Sequence, residues 1–454
     1  VNDSNPKRHR RSKWITAVVA NERGEIFDLA GYTAVGSDGP LQTCLGVENT
    51  RNLPHGSELM YLPDRIPLVY DIQSAKVVSL AENPYVPEEA IFPVAAFNSP
   101  GYVISHTAAW EERTGADYLP LFSYGAVGWY GGKFRSAVIQ VDDEPRQDLR
   151  RMPTRKIAAG VDKMRKALPQ NRLRAHLEKC ALTYGCPAGK NFFLGRYEAP
   201  LPASTSCNAR CLGCISLQTD HRISCSQVRI AFTPTPDEIA EVALVHIGRV
   251  RQAVVSFGQG CEGDPLMEAD TIARAIRRIR ARTDQGTINM NTNGSRPEKI
   301  AMLLDAGLDS LRISMNSVRE DCYRAYFRPR GYSFKDVVDG IDMALHRKAH
   351  VAINYLNCPG FTDTPEESNA LKAFIEDHRI GMIQWRNLNF DPLRYLQAMN
   401  HAAKHSSPLG VKTLLTKIKK KHPHLRYGYF NPPKERCGTV KGLAQRPGMQ
   451  IDRG

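Results

Sequence analysis

The sequence predicts an α/β protein: a partial (β/α)6 TIM-like barrel over residues 191–402, preceded by a β-rich N-terminal domain and a helical connector. Three observations predict it. After residue 190, short strand-like runs alternate with helix-like stretches. Several of those runs are apolar on one face and polar on the other. Before residue 145 glycines, prolines and alternating apolar residues dominate instead.

The elements follow in order. Residues 1–12 are polar, basic and without periodicity, and read as a disordered tail. Residues 13–145 read as strands: "WITAVVA" precedes the turn "NERGE", and "LFSYGAVGWYGGKFRSAVIQV" reads as a hairpin around Gly131 and Gly132. Residues 146–190 turn helical and basic and form a connector. "NFFLGRYEA" (192–199) is expected as the first barrel strand. "TPTPDEIAEVALVHIGRV" places a proline and acids in a first helical turn, then apolar residues at helical spacing. "AVVSFG", "TINMNTN", "DSLRISMNS", "HVAINYLN" and "GMIQWRNLNF" supply five further strands, with helical stretches between. One of these, "SRPEKIAMLLDAG", opens with the capping-box pair Ser295 and Glu298 and stops at Gly307. Residues 403–454 form a basic C-terminal extension.

The strands locate the site. Ile288 and Met290 oppose Asn289, Asn291 and Asn293; Leu311, Ile313 and Met315 oppose Arg312, Ser314 and Asn316; Ile383 and Trp385 oppose Gln384 and Arg386. Strands of an ordinary parallel core are apolar on both faces. A polar face towards the C-terminal strand ends places a ligand there, where α/β barrels bind theirs. Substrate is therefore expected near Asn291, Asn354, Gln384 and Arg386, with Arg386 pairing a carboxylate or phosphate.

Composition bounds the function. Of 454 residues, 42% are hydrophobic and 24% charged, ordinary values for a globular chain. No run approaches 18 apolar residues and none near the start reads as an export signal, so no membrane span is expected. Eleven irregularly spread cysteines, an odd number, argue against a disulfide framework and for a reducing cytoplasm. The net charge of +14 gathers at the head and along 404–426. Such segments grip RNA or simply face water; without interleaved aromatics the solvated face is expected.

The chemistry sits in "SCNARCLGCIS", where Cys207, Cys211 and Cys214 are spaced C-x3-C-x2-C. Thiolates at this density favour zinc or an iron–sulfur cluster. Structural zinc takes four ligands, whereas a [4Fe–4S] cube held by three cysteines keeps one iron open. Here the sequence resembles the radical S-adenosylmethionine (radical SAM) superfamily. "VVSFGQGCEGDPLM" resembles its glycine-rich SAM segment and offers Gly260, Glu262, Gly263 and Asp264, with aspartate where glutamate is usual. "NMNTNGS" supplies Asn291 and Asn293, the next strand Ser314 and Asn316, and "NYLNCPGFTDTPEE" Asn354. The resemblance implies a [4Fe–4S] cluster on Cys207, Cys211 and Cys214 and S-adenosyl-L-methionine on the residues just named. It implies reductive cleavage to a 5′-deoxyadenosyl radical that takes hydrogen from a substrate, a small metabolite ahead of a tRNA. It also implies an external electron donor of flavodoxin or ferredoxin type, and oxygen sensitivity. The alternative is a non-catalytic iron–sulfur or zinc protein, an electron carrier or scaffold. Cys180, Cys186 and Cys225 are expected as idle thiols rather than a second cluster, Cys261 as a packing residue beside SAM, and His422 and His424 at the surface.

Overall fold

The computed structural model describes residues 13–437; the expected disordered tail and the last residues of the C-terminal extension lie outside them. Between residues 16 and 136 the chain forms a twelve-stranded sheet whose strand pairs are antiparallel. Its pairings close on themselves: Thr16–Asn21 pairs Ile26–Ser37 and Gly125–Tyr130, and Thr107–Ala108 bridges those two partners. The expected hairpin is present, with Gly131 and Gly132 both at positive φ between Gly125–Tyr130 and Lys133–Ser136. Glycine accepts that conformation without a Cβ penalty.

The connector is helical: α1 (Thr154–Ala167), α2 (Arg172–Leu182) and α3 (Pro187–Leu194). Here one expectation fails. Phe192 and Phe193 belong to α3 rather than to a strand, and the first barrel strand is only β1 (Glu198–Pro200). Pro187 at the helix start and Gly195 in the left-handed C-cap bound a helix too short to show its period.

The barrel then follows as one parallel sheet in sequential order: β1, β2 (Val254–Phe257), β3 (Thr287–Thr292), β4 (Ser310–Met315), β5 (His350–Asn357), β6 (Met382–Asn387) and β7 (Arg426–Gly428). β2 to β6 are those the alternation predicts, and β1 replaces the longer first strand expected at 192–199. β7 is a three-residue addition from the basic extension, paired with β6. Helices α4 (Pro236–Arg249), α5 (Ala269–Arg280), α6 (Pro297–Ala306), α7 (Glu320–Phe327), α8 (Phe334–His346), α9 (Pro365–Asp377), α10 (Pro392–Ala402) and α11 (Val411–Lys421) connect them. α4 starts in a full capping box between Thr235 and Glu238. The box expected at Ser295 and Glu298 does not form: α6 is capped by Arg296 without a side-chain bond, and the Ser295 hydroxyl instead accepts from Asn208 at 2.8 Å. α11 buries Val411, Leu414, Leu415 and Ile418 and turns its lysines outward. His422, expected at the surface, is buried at its end. None of the described helices is long and apolar enough to cross a membrane.

The N-terminal region is latched to the mouth of the barrel through a separate two-stranded sheet, Tyr102–Ile104 with Val138–Gln140. Asn387 at the end of β6 accepts from the Ile104 amide at 2.9 Å and donates to the Tyr102 carbonyl at 3.0 Å. Asn357 at the end of β5 donates to the Ile104 carbonyl at 2.8 Å. Asp142 accepts from the Tyr429 and Phe430 amides just beyond β7.

Candidate active site

Between that latch and the strand ends lies a cavity of ≈ 360 Å³, in the size range of small-molecule sites. Its walls carry Cys207, Cys211 and Cys214 on one side, the glycine-rich segment on another, and Arg312, Ser314, Asn354 and Arg386 on a third. Phe97, Asn98 and Ser123 of the N-terminal sheet form its ceiling.

The cysteine loop begins where β1 ends. Its backbone is fixed by bonds from the Arg210 and Leu212 amides to the Phe327 and Tyr326 carbonyls at the end of α7. Gln218 closes the far side by donating to the Leu212 and Cys214 carbonyls. Gly213 is needed for contact, since a Cβ there would lie 2.8 Å from the Asn389 carbonyl. The three thiols are chemically fit for an iron–sulfur cube. Among the described residues they do not form a set of donors lying within 4.8 Å of one another, as ligands of a single tetrahedral ion must. Burial pushes the Cys207 thiol up to about 12, with the Asp264 charge adding to it, and holds the Cys211 thiol well above its ordinary value, with Cys214 and Cys207 adding to it. The Cys207 and Cys211 thiolates are costly alone and are stabilised by a cationic centre. Amide and guanidinium donors already point at them: Ala209 N to Cys207 Sγ at 3.4 Å and Arg229 Nη2 to Cys214 Sγ at 3.6 Å.

The two acids of the glycine-rich segment have different jobs. Glu262 takes four backbone amides, Ala203 and Ser204 on one oxygen and Gly258 and Gln259 on the other. That occupies its acceptor positions and staples the end of β1 to the end of β2. Burial pushes its carboxyl up to about 7 against those bonds. Asp264 accepts from Thr292 Oγ1 and the Leu266 amide on one oxygen and from the Asn293 amide on the other, which leaves an acceptor position open on Oδ2. The glycines serve the chain itself: a Cβ on Gly258 would sit 1.7 Å from the Asn291 carbonyl, and one on Gly263 1.8 Å from the Ser206 carbonyl. Gly260 faces Gln227 and Ile215.

The remaining sequence-derived residues divide. Asn291 spends its amide on the Phe257 and Gly258 carbonyls. Asn293 bonds Asn208 and the Ser295 amide. Ser314 accepts from Asn354 at 3.4 Å, while the buried Asn354 Oδ1 has no partner. Asn316 and Gln384 lie off the cavity wall. Asn316 donates to the Cys322 carbonyl and Tyr395 Oη; Gln384 accepts from Arg312 and donates to Asn431. Cys261 also turns away from the cavity, towards α2. Cys225 is exposed and far from any cluster-forming partner among the described residues.

Two groups, Arg312 and Asn431, escaped the sequence reading. Arg312 alternates with Leu311 and Ile313, so its inward direction was legible, but its importance was not. Burial and the adjacent Arg386 push its guanidinium down to about 9. Arg386 lies over the Tyr429 ring at 3.7 Å and donates to the Tyr429 carbonyl. Both Nε–H groups are buried without an acceptor, and among the described residues neither guanidinium forms a salt bridge, although the Glu198 charge acts on Arg312. Asn431, from the extension, plugs the barrel floor between Glu198, Ser256 and Asn291.

Residues 201–370 match the family model of the Radical SAM superfamily. GTP 3′,8-cyclase of Lactiplantibacillus plantarum is 28% identical over 197 residues, 42% of this chain and 54% of that protein. GTP 3′,8-cyclase 3 of Mycobacterium bovis is 25% identical over 202 residues, 43% of this chain and 46% of that protein. The chain thus spans about half the length of these curated relatives. A radical SAM methyltransferase from Sphaerobacter thermophilus aligns structurally with a TM-score of 0.37 and 14% identity, over 51% of this chain and 66% of that one; that likeness carries no weight beside the family match. The superfamily's cofactors are a [4Fe–4S] cluster and S-adenosylmethionine, and the thiol loop is a suitable holder for the first. Through residues 201–370 this protein carries a domain of the radical SAM superfamily.

Proposed function

We propose that the protein is a radical SAM enzyme acting on a small anionic molecule in the cavity between barrel mouth and N-terminal sheet. Cys207, Cys211 and Cys214 hold the cluster, and Asp264 accepts from the SAM ammonium through its open position. Once loaded, the cofactor pair supplies a hydrogen-abstracting 5′-deoxyadenosyl radical when an external flavodoxin- or ferredoxin-type donor delivers an electron. The chain's own part is to hold, orient and keep dry. Glu262 and the glycines fix the segment that carries Asp264. Phe97, Asn98 and Ser123 cover the cavity.

The observation that carries the substrate class is the pair of buried, unpaired guanidinium edges of Arg312 and Arg386. Two adjacent cations, neither in a salt bridge among the described residues, call for an anionic ligand. The cavity's volume of ≈ 360 Å³ suits a small molecule. The relatives' activity on GTP makes a nucleotide the first substrate to try. Anaerobic assay of 5′-deoxyadenosine with SAM, a reductant and a panel of nucleotides, phosphorylated metabolites and tRNA tests this. A small anion should stimulate release, and Arg386→Ala should lose that stimulation while keeping the substrate-free background. Stimulation by tRNA alone would overturn the proposal.

A further inference from the structure

A second set of metal-ligating side chains lies outside the cavity. His176 Nε2, Cys180 Sγ and Cys261 Sγ all lie within 4.8 Å of one another. His176 and Cys180 are one turn apart on the same face of α2, with Nε2 3.5 Å from Sγ. Cys261 reaches them from the glycine-rich segment after β2. Cys180 and Cys261 are almost wholly buried, at 2% and 5% exposure. Unlike the triplet, this set has the compactness of one tetrahedral ion. Metal–sulfur bonds of about 2.3 Å and metal–nitrogen bonds of about 2.0 Å put such donors roughly 3.5–4 Å apart, so closing round an ion needs less than an ångström of adjustment. Three protein donors leave the fourth tetrahedral position to a small exogenous ligand such as water.

We infer that His176, Cys180 and Cys261 bind a single divalent zinc-class ion. Mixed thiolate and imidazole donors in a tetrahedral set suit zinc. The ion is structural: it ties the connector helix α2 to the segment whose next residue is Glu262, the staple under the SAM side of the cavity. The inference is independent of the proposed substrate and of catalysis.

The test is metal analysis of the tag-free full chain, purified without oxygen from zinc-supplemented cells. About one zinc per chain should accompany the cluster iron. Cys211→Ala should lose the iron and keep the zinc. The double variant Cys180→Ala with Cys261→Ala should lose the zinc and keep the iron, which also shows that it folds. In His176→Gln, a milder change, zinc should be lost to a chelator faster than from the parent. Cobalt substituted for zinc should give thiolate-to-cobalt absorption in the parent and not in the double variant. Zinc absent from the parent, zinc retained by the double variant, or a Cys180–Cys261 disulfide in the anaerobic protein would overturn the inference.

Discussion

Gly263 sits where the chain has no room for a methyl group. Its Cβ would lie 1.8 Å from the Ser206 carbonyl, which is backbone and cannot swing aside. Gly263→Ala should therefore displace the cysteine loop, cost about 1–3 kcal/mol, and lower the iron bound after reconstitution; iron assay and a thermal melt read both. Asp264→Asn removes the charge while keeping the shape. SAM affinity should fall about 10–100-fold, the loss of one charge-assisted hydrogen bond, with iron content unchanged; equilibrium binding under anaerobic conditions checks it. At this scale the sequence singled out the polar residues of the motifs but not how each spends its hydrogen bonds. Asn291 and Glu262 look like ligands in a motif, yet their polar atoms are consumed by backbone that is distant in sequence. Only the fold brings Ala203 and Gly258 to the same carboxylate.

Elements were legible where their period ran long enough. α4 shows its proline, acids and apolar spacing in sequence, and Thr235 with Glu238 forms the box. Thr235→Ala should cost about 1 kcal/mol, visible as a lowered melting temperature. α3 and β1 were not legible, because an eight-residue helix and a three-residue strand give little period to read. Ser295 failed as a cap because a tertiary partner, Asn208 of the cysteine loop, competes for its hydroxyl. β7 was hidden for another reason: its edge position next to β6 arises only after the chain has returned round the barrel.

Across the whole molecule, buried acids make stability depend on pH. Glu367 is fully buried against Ser317 and Tyr355, and burial pushes its carboxyl from 4.5 up to about 7. The unfolded chain gives up that proton from pH 4.5, the folded one only near 7. The group's stabilising share is thus whole below 4.5 and lost as pH climbs to 7. Glu367→Gln has no proton to lose, so its stability should fall less over that window, by about 3 kcal/mol; denaturant unfolding at pH 5 and 7.5 measures it. The N-terminal sheet was legible as strands only. Its placement rests on asparagines of β5 and β6 meeting a strand some 250 residues earlier in sequence, and no local pattern announces such a pairing.

That seam joins two pieces with separate duties. The floor and walls below it come from the barrel, and the roof above it from a sheet that carries none of the thiols of the triplet. Exchange of the roof should therefore alter which guest is admitted, while iron loading, a property of the storey beneath, stays as it was.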